Sequence, residues 1–348
     1  MSPAPLRVAL LGAGTVGREV ARALLERGSE LTAADGAPLV LTGIAVRDVD
    51  RARAAGLPSE LLTDAPAHLV AAPDTDVVIE LIGGDEPART LIAASLAAGK
   101  AVVTANKHVI AHHGPELEAL ARRSGSALRF EAAVGGGIPV LGPLAADLAA
   151  NRVTAVRGIV NGTTNYILTA MTDDGRGYDE VLAAAQSAGY AEADPSGDVE
   201  GHDAVNKLVI LARLAFGSWL APTAVTTIGT DGPGAGSPGI TGVGAADIVA
   251  AAKSGHVIKL IATARRGEGD GAPTASVLPT AVTADSPFGR TAGVLNRIEI
   301  DAEPIGTVAF SGPGAGGPAT SSAVLGDLVA IARGLGSTWA GLPPAGSA

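Results

Sequence analysis

Short unbroken apolar runs alternate with helical-period segments through the first 130 positions. The runs are Arg7–Gly12, ending in VALLG, then Leu39–Val46 (LVLTGIAV), Asp76–Ile82 (DVVIELI) and Lys100–Thr104 (KAVVT). Runs of this length without polar alternation predict strands buried on both faces of a parallel sheet. REVARALLER after Gly17, and Glu86 to Ala98, predict helices between them. Leu128–Ala132 (LRFEA) predicts a further strand, closed by VGGGIP. This alternation predicts a doubly wound α/β unit.

From about residue 138 the pattern changes. A helix is expected from Pro139 to about Ala150, a strand over Thr154–Val160, and a second helix from NGTTNYIL. Pro195 and Gly197 predict a loop through 194–198, and DAVNKLVILARLAF an apolar helix starting at Asp203. A Gly-rich stretch over 218–275 is followed by strands at Asn296–Ile300 and Gly306–Phe310. GPGAGG then feeds a last apolar helix, about Ala319 to Arg333, and WAGLPPAGSA reads as a tail.

Composition narrows the function. A chain of 348 residues, 47% hydrophobic and 17% charged, has room for two domains with real cores. It contains no cysteine, which excludes disulfides, cysteine nucleophiles and cysteine-ligated metals. A net charge of −10 without a basic run argues against nucleic acid. Mean hydropathy is +0.32, but no stretch of about 18 uninterrupted apolar residues exists, so no membrane span is expected. The N-terminus lacks the charged region and apolar segment of a signal peptide, so the cytoplasm is expected.

The first strand runs into Gly12-Ala13-Gly14-Thr15-Val16-Gly17 and then a helix, the setting in which G-x-G-x-x-G binds a dinucleotide. Gly12 permits the turn, Gly14 lets a pyrophosphate approach the backbone, and Gly17 lets the helix pack on the strand. Arg47 ends the second strand and leans towards the 2′-phosphate of NADP, while Asp48 keeps NAD open. Lys107 follows the strand that ends at Thr104, on the side of a parallel sheet where ligands bind. Between Tyr190 and Lys207 lie Glu192, Asp194, Asp198, Glu200 and Asp203. Asp203 and Lys207 stand at i,i+4 on one helix face. Carboxylates gathered around one amine suit a substrate carrying an ammonium group and a hydroxyl. Burial favours a neutral lysine and a neighbouring acid the charged form, so the residues leave its protonation open. His108, His112 and His113 read as solvated helix residues without a third metal ligand, and His202 as structural.

At this point the chain resembles the homoserine dehydrogenase family. The matching pieces are GAGTVG, TANK at 104–107, EAAVGGGIP at 131–139, GIVNGTTNYIL at 158–168, GYAEADPSGDVEGHDAVNK at 189–207 and GPGAGGPATSSAVLGDL at 312–328. The resemblance implies NAD(P)-dependent interconversion of L-homoserine and L-aspartate 4-semialdehyde, with NADP slightly favoured over NAD. It implies Lys207 as proton donor and acceptor, Asp203 beside it, and Glu192 and Asp198 on the substrate. Lys107 is implied at the substrate–nicotinamide junction, sharing proton transfer. Ala13, Thr15, Val16, Thr104, Gly189 and Gly314 match cofactor contacts. Glu131, Val134, Gly136 and Ile138 match a monovalent-cation loop, using main-chain carbonyls and usually sodium. The implied fold is a Rossmann-type doubly wound parallel sheet formed by 1–137 with 311–335. A catalytic α+β domain spans 151–272, a dimerisation region 138–150 with 273–310, and a tail 336–348. A homodimer is implied. Relatives with a C-terminal regulatory ACT domain are longer, so a short form is implied here. Two other readings are another NAD(P)-dependent amino-acid or semialdehyde dehydrogenase, and a non-catalytic dinucleotide sensor. The sensor would have no organised acid–amine group.

Overall fold

The computed structural model describes residues 4–31, 37–269 and 271–345, which form two compact units. The first comprises residues up to Ala146 together with those from Ala315 onward. Its elements are β1 (Leu6–Leu11), α1 (Thr15–Arg27), β2 (Leu39–Ala45), α2 (Val49–Ala54), β3 (Leu62–Thr63), α3 (Pro66–Ala71), β4 (Val77–Glu80), α4 (Ala88–Ala97), β5 (Ala101–Thr104), α5 (Lys107–Ser124), β6 (Leu128–Arg129) and α6 (Leu141–Ala145). The six strands are parallel in the order β3-β2-β1-β4-β5-β6. The order reverses between β1 and β4, which opens the ligand crevice of such sheets beside the Gly12 turn. All four β4 residues and the last four of β1 are buried, as the unbroken apolar runs require.

The second unit, Asp147–Gly314, contains β7 (Arg152–Ile159), α7 (Gly162–Asp174), α8 (Tyr178–Ser187), α9 (Ser196–Val199), α10 (His202–Phe216), α11 (Ala245–Lys253), β8 (His256–Arg265), β9 (Thr274–Thr283), β10 (Leu295–Glu303) and β11 (Gly306–Pro313). Its sheet is antiparallel, ordered β11-β10-β7-β8-β9. The apolar helix α10 packs on β7, β8 and β9, and buries every residue from Ala204 to Ala215. The chain then returns to the first unit as α12 (Gly317–Ala332). Val324 and Leu328 of α12 join Val8, Leu10, Val20 and Ile79 in one core.

Four expectations need correction. The helix from Pro139 stops at Ala145, where the Ala146 N–H closes the last turn onto Gly142 O (2.9 Å), and Asn151 closes a separate turn onto the Leu148 carbonyl through its N–H (2.9 Å) and its side chain (3.3 Å). The strand at LRFEA ends at Arg129. Side chains take its next N–H groups: Phe130 donates to Thr338 Oγ1 (3.1 Å) and Glu131 to Asp327 (2.7 Å). The loop at 194–198 turns into α9, started by Asp194, whose carboxylate accepts the Ser196 N–H at 3.1 Å. The tail is docked along β6. Thr338 N–H donates to Leu128 O (3.1 Å), Arg129 reaches Gly336 O (3.0 Å), and buried Trp339 packs on Phe130 with ring centroids 5.3 Å apart. Residues 346–348 of that tail lie outside the described residues. The segment 273–310 supplies β9 and β10 and most of β11 to the antiparallel sheet of the second unit.

Candidate active site

In the first unit the site is built at the carboxyl ends of the strands. Gly12 has φ +99°, and a Cβ there would lie 2.6 Å from the Leu81 carbonyl oxygen. A Cβ on Gly17 would lie 2.1 Å from Gly12 O. A Cβ on Gly14 would meet nothing within 4 Å. Two of the glycines are therefore required by packing, and the third leaves open space at the start of α1. Gly14 is the N-cap of α1 and has no side chain to cover the first N–H groups, with Ala13, Thr15 and Val16 flanking it. That is the geometry a pyrophosphate needs. The residues present fit a dinucleotide.

Arg47 is exposed after β2 and forms no ion pair with the described residues, while Arg53 pairs with Asp50 at 2.6 Å. Asp48 caps α2 by accepting the Arg51 N–H at 2.9 Å. Thr104, fully buried, donates to Glu80 at 2.6 Å and accepts the Asn106 N–H at 2.9 Å. Asn106 caps α5 by accepting from Val109 N–H (3.1 Å) and donates to Gly84 O (2.8 Å). Lys107 is the first residue of α5, with its N–H on Ala105 O at 3.0 Å.

The glycines that follow Glu131 form a tight loop in which Gly135 and Gly136 have φ of +73° and +59°. Ile138 N–H closes it onto Gly135 O at 2.9 Å, and Val134 N–H onto Glu131 O at 3.3 Å. The Glu131 carboxylate accepts from Val140, Leu141 and Gly142 N–H at 2.7–2.8 Å and so covers the start of α6. Burial pushes this carboxyl upward, against the pull of those N–H groups, and the nearby Asp327 adds to the rise. Asp327, buried on α12, is also raised by burial while Arg129 at 2.8 Å opposes the shift. With the Glu131 side chain engaged, only main-chain carbonyls are left here for a cation. Left-handed glycines let such carbonyls converge, and oxygen-only ligation suits a hard ion. Among the described residues no His/Cys/Asp/Glu group of metal-binding size exists.

In the second unit the centre is Lys207. Its Nζ donates to Val160 O at 2.6 Å and to Asp203 Oδ2 at 2.7 Å, with both side chains about 10% exposed. Asn161, 5% exposed, organises the acids around it: Nδ2 donates to Asp198 Oδ1 (2.7 Å) and to Asp203 Oδ2 (2.8 Å). Its Oδ1 caps α7 by accepting the Thr164 N–H at 2.8 Å, which fixes which end of the amide faces the carboxylates. Asp203, Asp198 and Lys207 are thus one hydrogen-bonded group. Glu192 is exposed, held by its backbone through Gln186 Nε2 on Glu192 O at 3.0 Å, and its carboxylate has no partner among the described residues. Gly189 closes α8 with φ +77°, and Gly314 abuts buried Asn296, whose Oδ1 would lie 1.7 Å from a Cβ at 314.

The histidines form no comparable group. His108 and His112 stack at 4.2 Å, His113 pairs with Asp85 at 2.8 Å, and exposed His202 pairs with Glu200 at 3.1 Å. The sequence reading missed Asn161 and Glu80. Asn161 had one signal, an N-cap residue just before a helix; Glu80 had one, an acid inside an apolar run.

Comparison with known proteins agrees with this layout. A family model described as homoserine dehydrogenase matches residues 139–329, and one described as homoserine dehydrogenase, NAD binding domain, matches residues 12–131. Homoserine dehydrogenase of Corynebacterium glutamicum is 46% identical over 329 residues, covering 94% of this chain and 72% of that protein. This chain belongs to the homoserine dehydrogenase family. The homoserine dehydrogenase structure from Thiobacillus denitrificans superposes with a TM-score of 0.87 at 41% identity, covering 94% of this chain and 73% of the other. A hyperthermophilic archaeal homoserine dehydrogenase in complex with NADPH aligns with a TM-score of 0.76 at 25% identity, over 95% and 98% of the two chains. The homoserine dehydrogenase family is one of NAD(P)-dependent oxidoreductases, and the GAGTVG turn lies in its NAD-binding domain. No helix among the described residues is long and apolar enough to cross a membrane.

Proposed function

We propose that this chain interconverts L-homoserine and L-aspartate 4-semialdehyde with a nicotinamide dinucleotide. One observation carries the proposal: a buried lysine, Lys207, held by Asp203 and the Val160 carbonyl within a group of carboxylates. An ammonium has three donors, and two of these are engaged, which leaves one direction for a substrate oxygen. In the reductive direction Lys207 Nζ gives its proton to the oxygen of the semialdehyde carbonyl; in the oxidative direction the amine takes the proton of the homoserine hydroxyl. Asp203 and Val160 O fix the position of Nζ, and Asn161 fixes Asp203 and Asp198. The substrate ammonium is met by Asp198 and Glu192. Lys107 shares the proton transfer from the α5 N-terminus. When bound, the dinucleotide supplies the hydride chemistry at the substrate carbon.

Ala13, Thr15, Val16, Thr104, Gly189 and Gly314 hold the dinucleotide. NADP is favoured because Arg47 has no acidic partner among the described residues whereas Asp48 is engaged as a helix cap. Carbonyls of Glu131, Val134, Gly136 and Ile138 hold a monovalent cation, sodium in this reading, supported by the left-handed Gly135 and Gly136. The family resemblance extends the proposal to a homodimer acting in the cytoplasm in threonine and methionine biosynthesis. The test is absorbance-monitored reduction of NADP+ and NAD+ with L-homoserine. Homoserine-dependent reduction is expected. Reduction with other amino-acid alcohols but not homoserine would move the substrate assignment, and binding without turnover would favour a sensor.

A further inference from the structure

The side chain of Glu80, the last residue of β4, is fully buried. Its hydrogen-bond partners among the described residues are neutral: Ile82 N–H at 2.7 Å, Gly83 N–H at 3.1 Å and Thr104 Oγ1 at 2.6 Å. A carboxyl group taken wholly out of water is costly unless its hydrogen bonds are satisfied, and an apolar residue would continue DVVIELI at no such cost. The bonds it makes close a ring. Glu80 pins the backbone at Ile82 and Gly83. Asn106 Nδ2 pins the same turn at Gly84 O, at 2.8 Å. Thr104 links the two, donating to Glu80 and accepting from Asn106 N–H. Gly83 and Gly84 both have positive φ, so this turn has conformational freedom that the ring removes. The ring ends on the N-cap of α5, one residue before Lys107.

We propose that Glu80 is a positioning residue for Lys107, acting through Thr104 and Asn106. It sets where α5 begins, and hence where the Lys107 side chain starts, without touching substrate. The inference rests on the proposed role of Lys107 in proton transfer.

The experiment compares Glu80→Gln, Thr104→Val, Thr104→Ser, the Glu80→Gln/Thr104→Val double variant and Lys107→Ala in the intact chain. The readouts are kcat and KM for homoserine at saturating NADP+, dinucleotide Kd, and Tm. Gln at 80 keeps the acceptor for Ile82 and Gly83 but turns an amide donor to Thr104, whose hydroxyl proton then loses its acceptor. A displacement of about 1 Å can cost on the order of 100-fold. Glu80→Gln and Thr104→Val are each expected to lower kcat by at least about tenfold with KM little changed. The double variant is expected to be no worse than the worse single one, because both cut one chain of bonds. Thr104→Ser, which keeps the hydroxyl that joins Glu80 to Asn106, is expected to lose less kcat than Thr104→Val. Unchanged kcat in Glu80→Gln and Thr104→Val beside an inactive Lys107→Ala would overturn the positioning role. So would losses confined to Tm and dinucleotide Kd, or additive losses in the double variant. Full turnover by Lys107→Ala would instead overturn the reading of Lys107. Should Glu80→Gln not fold, the contrast between Thr104→Val and Thr104→Ser decides.

Discussion

Lys207 shows how much one position depends on partners far away in sequence. Replacing it with alanine removes the proposed proton donor and leaves the Gly12 turn untouched. Turnover is expected to fall by about 10²–10⁴, with dinucleotide binding measured by fluorescence titration close to wild type; near-normal kcat would remove Lys207 from the chemistry. Arg47→Ala is expected to weaken NADP by roughly 1.5–3 kcal/mol, the worth of a charge-assisted contact, and NAD hardly at all. Equal losses for the two cofactors would mean that Arg47 does not reach the 2′-phosphate. Lys207 and Asp203 were legible because helical periodicity puts i and i+4 on one face. Asn161 was not, because its two acids lie 37 and 42 residues away and only the fold brings them to its amide. Glu80 was hidden similarly, 24 residues from Thr104. Glu192 was named as one of a cluster of acids and by motif, since nothing in its own spacing sets it on the helix face of Lys207.

At the scale of elements, the glycine turn separates packing from binding. Gly17→Ala places a methyl 2.1 Å from a carbonyl oxygen and is expected to lower Tm sharply. Gly14→Ala meets nothing within 4 Å among the described residues. It should keep Tm and weaken dinucleotide binding by calorimetry; unchanged affinity would show that the pyrophosphate does not approach there. A different balance holds α7 to β8. Lys259, buried on β8, donates to Asn165 Oδ1 (3.0 Å), Thr169 Oγ1 (3.2 Å) and Thr291 O (2.8 Å). Burial lowers it from 10.5 to about 8, with Asp173 opposing. Below pH 8 folded and unfolded chains both carry the proton, and the folded state bears the full burial penalty. Between about 8 and 10.5 the unfolded chain holds a proton that the folded one has lost, so stability rises with pH, by up to about 3 kcal/mol from this group. Urea midpoints should show that rise in wild type relative to Lys259→Met; parallel curves would refute it. Strands and long helices were legible because burial imposes their periods. Element ends at 129 and 195–199 were not, because there individual side chains took over the backbone hydrogen bonds.

For the molecule as a whole, the segment after α12 belongs to the first unit's core. Trp339 is 2% exposed against Phe130, and its neighbours bond to β6. Trp339→Ala is expected to destabilise that unit by about 3–5 kcal/mol, seen as a lower unfolding midpoint when dinucleotide protection is the probe. An unchanged midpoint would mean that the docking is marginal. Composition could not reveal this, since Gly, Pro and Ala in WAGLPPAGSA carry the same signal as a loose end, and the burial of one tryptophan depends on a strand some 200 positions earlier. The placement of α12 has a consequence during synthesis. Val324 and Leu328 complete a core begun by Val8 and Leu10, yet all of residues 147–314 leave the ribosome in between. At roughly 5–20 residues per second this gap is on the order of ten seconds. During that time the nascent dinucleotide-binding half exposes the apolar face that α12 will cover, while the antiparallel sheet finishes first. Newborn chains are therefore vulnerable to aggregation and to chaperone capture at their N-terminal half, and translation speed through the middle of the message sets how long that exposure lasts.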